Sequence, residues 1–188
     1  VHVSKYISID KPAKGFLFYE EVLSASSPED ILKDVEESDV TILMYTAGTT
    51  GRPKGVPLTH QSFVSYVLGN VEPADPDTRE VNLLSVPLYH IAGCQAMIAA
   101  IYGGRTIAMM RQFEANEWIQ IVQREKANRA MLVPTMLKRV IDHPDFDKFD
   151  LSSLKVITYG AASMPFEVIK KAIRVMPHAR FINAFGQT

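Results

Sequence analysis

Residues 41–55 read TILMYTAGTTGRPKG, and the reading of this stretch decides the rest of the chain. The apolar and β-branched run from Val40 to Met44 predicts a buried strand. That strand is expected to stop at Tyr45. Between Thr46 and Gly55 stand three threonines (Thr46, Thr49, Thr50), three glycines (Gly48, Gly51, Gly55) and two cations (Arg52, Lys54). Glycine admits positive φ and close backbone approach, so successive N–H groups can turn inward as an anion nest, with hydroxyls and cations completing a polyphosphate cradle. A plain surface turn draws on the same residue types, but this density of hydroxyls and cations behind an apolar strand favours phosphate. A Walker loop does not fit. Only two residues separate Gly48 from Gly51, and Lys54 is followed by Gly55 where that loop requires Ser or Thr.

Composition narrows the possibilities. With 188 residues, 47% of them hydrophobic, the chain can build one sizeable core or one domain with an appended subdomain. A formal net charge of −1 gives no reason to expect nucleic acid or an anionic membrane as partner. No apolar run reaches the length of a membrane span, and no basic-then-apolar leader is seen. The single cysteine, Cys94, excludes an internal disulfide and suits a reducing compartment, so a cytoplasmic location is expected. Its small apolar neighbours predict a buried structural thiol. Val1 opens the chain beside an apparent strand and Thr188 ends it in a polar turn, which reads as a piece of a longer protein.

Along the chain, Val1 to Ile9 predicts an edge strand or strand pair. Ser27, Pro28, Glu29 and Asp30 have the order of a helix start, with Ile31, Leu32 and Val35 on one side of a helix reaching about Glu37. Thr59 is a good N-cap for a helix with Phe63, Tyr66 and Val67 inward. Strands are expected at 81–86, 105–110, 129–133, 154–158 and 180–184. Between them come a buried helix over 95–102 stopped by glycine, one capped by Asn116 with Trp118, Ile121 and Val122 on its core face, one over 136–142, and one after Met164 with the stripe Val168, Ile169, Ala172 and Ile173. This alternation predicts an α/β fold with a mainly parallel sheet and helices on both faces. The acidic residues 34–39 read as a solvated face, and His2, His60, His143 and His178 lack metal-ligand spacing. His90, between apolar neighbours just past a strand, stands where open α/β sheets bind ligands, although a lone histidine is also a common structural residue.

The string YTAGTTGRPKG, residues 45–55, resembles the signature loop of the adenylate-forming enzymes, the superfamily of acyl-CoA synthetases, luciferases and peptide-synthetase adenylation domains. PLYHIAG at 87–93 is similar to the second signature, whose His or aromatic residue lines the acyl channel and shifts between half-reactions; His90 is the matching position. YGAAS at 159–163 resembles the segment whose backbone borders adenine and acyl group, and NAFGQT at 183–188 the third signature. In that signature Phe185 stands where Tyr is commoner, and the sequence ends before the acidic position that ligates magnesium, so no metal ligand is expected within this chain.

The resemblance implies an AMP-binding core fragment over 40–188, part of the family's N-terminal domain, preceded by an N-terminal segment of edge strands and linker over 1–39. It implies ATP, Mg²⁺ and coenzyme A, with a carboxylic acid as small-molecule partner. Catalytic roles fall to Lys54, His90 and Thr188. Nucleotide contacts fall to Thr46, Ala47, Gly48, Thr49, Thr50, Gly51, Lys54, Gly160, Ala161, Ala162, Asn183, Phe185, Gly186, Gln187 and Thr188, and acid contacts to His90, Gly160 and Ala161. A fatty acid is the expected substrate. An aryl-CoA ligase, a peptide-synthetase adenylation domain and a non-catalytic nucleotide-binding module remain alternatives, and the fragment alone is expected to be inactive. Oligomeric state is not legible.

Overall fold

The computed structural model describes residues 3–46 and 51–186, and the chain divides into two units, Val1–Val35 and Glu36–Thr188. In the first, β1 (Ile7–Ser8) pairs in parallel with β2 (Leu17–Phe18), and α1 (Tyr19–Ala25) follows directly. Tyr6 and Phe16 stack in a tilted pair with ring centroids 5.5 Å apart. The helix expected after Ser27 does not form. Glu20 and Glu21 occupy the favourable first turn of α1 instead, and Ser27 Oγ accepts from Glu29 N–H in a local turn. Ile31 and Leu32 stay 93% and 95% exposed, so no packing supports a helix too short to stand alone.

In the second unit, β3 (Val40–Thr46) pairs with β4 (Lys54–Thr59) as an antiparallel hairpin that is separate from the main sheet. This corrects the reading of Val40 to Met44 as a buried strand stopping at Tyr45: the strand runs on to Thr46, and of its residues only Met44 is buried. The strand alternates. Ile42 and Met44 meet Leu58, Phe63, Ile91, Cys94 and Ile98 in a small apolar cluster, whereas Leu43 and Tyr45 are exposed. Pro57, opposite Leu43, is tolerated because a two-stranded ribbon needs no donor on its outer side. Helix α2 (His60–Asn70) starts as expected, Thr59 Oγ1 accepting from Ser62 N–H, with Phe63 and Val67 buried but Tyr66 exposed.

The remaining chain alternates β5 (Val81–Leu84), α3 (Ile91–Tyr102), β6 (Thr106–Met109), α4 (Ala115–Glu125), β7 (Arg129–Leu132), α5 (Pro134–Ile141), β8 (Val156–Gly160), α6 (Phe166–Val175) and β9 (Arg180–Ala184). The five strands form one parallel sheet in the order β6-β5-β7-β8-β9. Val81, Leu83, Ala130, Leu132 and Ile157 point to one face, against Trp118, Ile119 and Val122 of α4, Leu137 and Val140 of α5, and Ala172 of α6. Helix α4 is capped by Glu114, whose carboxylate accepts from Glu117 N–H at 2.8 Å, and not by Asn116. The helix already begins at Ala115, so Asn116 sits inside its first turn. Of the α6 stripe only Ala172 is fully buried, and Ile173 is half exposed.

On the opposite face α3 lies beside β5 and β6. It is less enclosed than its composition suggests: Gly93, Cys94 and Ala100 are buried, while Ile101 is exposed. Over β7, β8 and β9 that face carries the cross-strand rows Arg129–Val156–Arg180 and Met131–Thr158–Ile182. Among the described residues no helix is long and apolar enough to cross a membrane.

Candidate active site

The hairpin register sets Thr46 directly opposite Lys54, which brings a hydroxyl and an ammonium to the two sides of the signature loop's base. Lys54 is exposed and Thr46 half-buried. Gly51, inside the connection, has φ +85°, a conformation that requires glycine. Ala47, Gly48, Thr49 and Thr50 lie outside the described residues, as do Gln187 and Thr188.

The second motif is a turn locked from several sides. His90 N–H donates to Pro87 O at 3.1 Å, and His90 O accepts from Gly93 N–H and Cys94 N–H at 3.0 and 3.2 Å as α3 begins. The Cys94 thiol donates to Leu88 O at 2.8 Å, and burial pushes its pKa up, in keeping with a structural thiol. A Cβ on Gly93 would stand 2.2 Å from Pro87 O, so the chain passes itself there only as glycine. These contacts leave the His90 ring exposed at the N-cap of α3, tilted against Tyr89 with centroids 4.8 Å apart.

The third and fourth motifs meet at the carboxyl ends of β8 and β9. Gly160 pairs with Ala184 and Tyr159 with Asn183. A Cβ on Gly160 would come within 2.1 Å of Ala184 O, so the two strand ends sit too close for a side chain. Ala161 has φ +66°, an unusual conformation for a residue with a Cβ, and it turns the chain away from the sheet so that Ala161, Ala162 and Ser163 are exposed. Phe185, 89% exposed, presents its ring just past β9, beside Gly186.

A concavity of about 750 Å³ runs from this edge along the open sheet face. Asn183, Ala184 and Phe185 stand at one end; Ala92, Gln95, Ala96 and Ala99 of α3 form one wall, and Met131, Val156, Thr158 and Ile182 the floor. Lys54, His90 and Gly160 lie outside its lining. Sequence reasoning passed over Gln95, Asn82 and Thr158; the signal was available in α3, where Gln95 interrupts an otherwise apolar helix. It also passed over Glu80, whose Oε2 receives Arg105 Nε at 2.7 Å and Arg129 Nε at 2.8 Å at the concavity's far end. Burial pushes the Glu80 carboxyl up, but Arg129 and Arg105 together outweigh it and hold the group below its ordinary value. Each of the three begins or precedes a different strand, so their meeting depends on strand order.

This constellation, one motif on a separate hairpin and three at the strand ends of a parallel sheet, belongs to a known class: the chain is a member of the AMP-binding enzyme family, which matches residues 2–188. Among its relatives, 4-coumarate-CoA ligase 1 of Narcissus pseudonarcissus is 30% identical over 194 residues, 99% of this chain and 36% of that protein. The 4-coumarate-CoA ligase 1 of Arabidopsis thaliana is 31% identical over 188 residues, 96% of this chain and 34% of that one. The chain therefore spans about a third of the length of these curated relatives. Among solved structures, the inhibitor-bound N-terminal domain of FACL13 from Mycobacterium tuberculosis superposes with a TM-score of 0.80 at 26% identity, covering 92% of this chain and 44% of that one. A red-emitting luciferase from Phrixothrix hirtus shares the fold, with a TM-score of 0.81 at 22% identity, covering 98% and 47%.

Proposed function

We propose that the full-length protein is an ATP-dependent acid–CoA ligase that activates an apolar carboxylic acid, with residues 40–188 contributing its AMP-binding core. In the first half-reaction the acid's carboxylate attacks the α-phosphorus of ATP; pyrophosphate leaves with the bond electrons, and an acyl-adenylate remains. In the second, the coenzyme A sulfur attacks the acyl carbonyl and AMP leaves. The substrate carboxylate is itself the nucleophile, so the protein's work is in-line positioning and charge neutralisation.

The observation that carries this reading is the concavity that starts at Asn183–Phe185 and continues between α3 and the sheet. A nucleotide with its base on Phe185 would place an acid's carboxylate at the mouth and its apolar body along Ala92, Ala96, Ala99 and Met131. Thr46 and Lys54, facing one another across the hairpin, together with Ala47–Gly51 would hold the β- and γ-phosphates, and Thr188 the α-phosphate. Mg²⁺, which ATP would bring, supplies further neutralisation of the triphosphate. Gly160, Ala161 and Ala162 would border adenine and acyl group, Gly186 and Gln187 would continue the nucleotide edge, and His90 would guard the acid's entry.

The relatives named for 4-coumarate favour an aryl acid; the apolar wall of α3 suits a fatty acid equally in its polarity. A reducing compartment such as the cytoplasm fits the single buried thiol. The test is carboxylate-dependent ATP–pyrophosphate exchange by the full-length protein with aryl, fatty and amino acids. Exchange with aryl or fatty acids is expected. ATP binding without exchange for any acid would replace the ligase with a non-catalytic nucleotide-binding module, and exchange confined to amino acids would make it a peptide-synthetase type of adenylation domain.

A further inference from the structure

Helix α3 has little side-chain bulk to lock it in place. The face it turns to the concavity carries Ala92, Ala96 and Ala99 beside Gln95, and its buried residues are Gly93, Cys94 and Ala100. Helices fix their position by setting ridges of side chains into grooves, and residues this small raise only shallow ridges. Polar contacts must then hold what packing does not. Among the described residues two side-chain hydrogen bonds reach α3, one at each end. The Cys94 thiol donates to Leu88 O within the turn that begins the helix, and Arg105 Nη1 donates to Ala99 O at 3.1 Å where the helix finishes.

Arg105 also reaches beyond the helix. Its Nε donates to Glu80 Oε2 at 2.7 Å, and that oxygen receives Arg129 Nε at 2.8 Å. Ala99 belongs to α3, Arg105 precedes β6, Glu80 precedes β5 and Arg129 begins β7, so these contacts run from the helix across three neighbouring strands. The Arg105 and Glu80 side chains are 12% and 16% exposed, which leaves the pair little screened by solvent. Room for the guanidinium comes from Gly103, where a Cβ would stand 2.8 Å from Arg105 Cζ. A planar fork suits the position, since it donates in two fixed directions at once, to the carboxylate and to the helix end.

We infer that Arg105, oriented by Glu80, is a positioning residue that fastens α3 to the sheet and so sets the width of the concavity and the height of His90. This inference rests on the ligase reading above, which puts the acid between α3 and the sheet. His90 lies nine residues before Ala99, about 14 Å along the axis at about 1.5 Å per residue. A tilt of about 5° about Ala99 moves the His90 end by about 1 Å, an error of the size that costs a well-positioned reaction about a hundredfold. Asn183 and Phe185 are carried by β9, at the opposite edge of the sheet from β6, so the effect falls on the acid more than on the nucleotide.

The experiment follows ATP–pyrophosphate exchange in the full-length protein with acids of graded bulk, benzoic, cinnamic and octanoic, for Arg105→Met, Arg105→Lys and Glu80→Asp. Arg105→Met is expected to raise KM for the acid by at least about fivefold, more than KM for ATP, and to narrow the natural preference among the acids. Arg105→Lys keeps the charge and loses the fork, so it should regain stability in urea without regaining the acid KM. Val140→Ala in α5, buried against the other face of the sheet, is the control: it destabilises the fold and should leave both KM values unchanged. KM does not depend on the fraction folded, and if Arg105→Met fails to fold, Arg105→Lys and Glu80→Asp decide by the same readout. An unchanged acid KM and preference in the folded variants, or a rise no greater for the acid than for ATP, makes the ion pair structural only and overturns the inference while the ligase stands. Absence of exchange with every acid by the natural protein takes down the ligase reading and this one with it.

Discussion

Replacing Gly160 by Ala tests whether the nucleotide edge depends on the close approach of β8 and β9. The added Cβ would lie 2.1 Å from Ala184 O, where ordinary contact begins at 3.4 Å, so the shortfall is 3.4 − 2.1 = 1.3 Å. The obstructing atom is backbone and cannot rotate aside, so the end of β9 must move outward and carry Asn183 and Phe185 with it. Overpacking of this kind costs about 1–3 kcal/mol, and a weakened strand-end hydrogen bond about 1 kcal/mol more. The expected loss of about 2–4 kcal/mol is read as a lower urea midpoint at unchanged m-value. In the full-length enzyme, exchange should show a raised KM for ATP. Gly69→Ala in α2 is the control, since a Cβ there meets nothing within 4 Å; it should be neutral or stabilise slightly. If Gly160→Ala stays within about 0.5 kcal/mol of the natural protein, the level of an ordinary surface change, and its ATP kinetics are unaltered, the argument from close approach is wrong.

Lys54→Ala should slow exchange by about 2–4 kcal/mol of transition-state stabilisation, provided its contact tightens as the phosphates reorganise; an unchanged exchange rate would remove Lys54 from the mechanism. His90→Ala should alter acid use and thioester formation more than ATP affinity, and steady-state kinetics showing a pure ATP defect would contradict its place at the acid's entry. Glu80→Gln should destabilise the fold by about 1–3 kcal/mol, because Arg105 and Arg129 lose the shared acceptor that neutralises them. The fold holds the Glu80 carboxyl below its ordinary 4.5. Its contribution is therefore complete above that value and lost as pH falls through the lowered one. Unfolding curves of natural protein and variant should converge in that acidic range; a gap that stays constant down to strong acid would mean that the charge is not what matters.

Periodicity was enough for the parallel core. The strands expected at 81–86, 105–110, 129–133, 154–158 and 180–184 form at 81–84, 106–109, 129–132, 156–160 and 180–184, each bound within two residues, and Trp118, Ile121 and Val122 share a helical face whatever surrounds them. It failed where packing decides. Residues 27–37 carry every local sign of a helix start, but Ile31 and Leu32 find no surface to bury against. Val40–Thr46 has the composition of a buried strand, yet its partner is Lys54–Thr59, a stretch whose Gly55 and Pro57 read as a loop until Thr46 and Lys54 are seen opposite each other.

The candidate site divides along the same line. Motifs contiguous in the chain, such as the signature loop, the PLYHIAG turn and the YGAAS segment, were legible because their chemistry depends on neighbours a few bonds away. The concavity was not: Gln95, Met131 and Thr158 belong to a helix and two strands, and they share a wall only because strand order and register put them there. What the sequence alone determined about this protein is therefore its family, its alternating βα core and the local shape of each motif. The tertiary structure decided which strands pair, which face stays open and which polar side chains look into it, since side chains distant in the chain meet only through the packing of the elements that carry them.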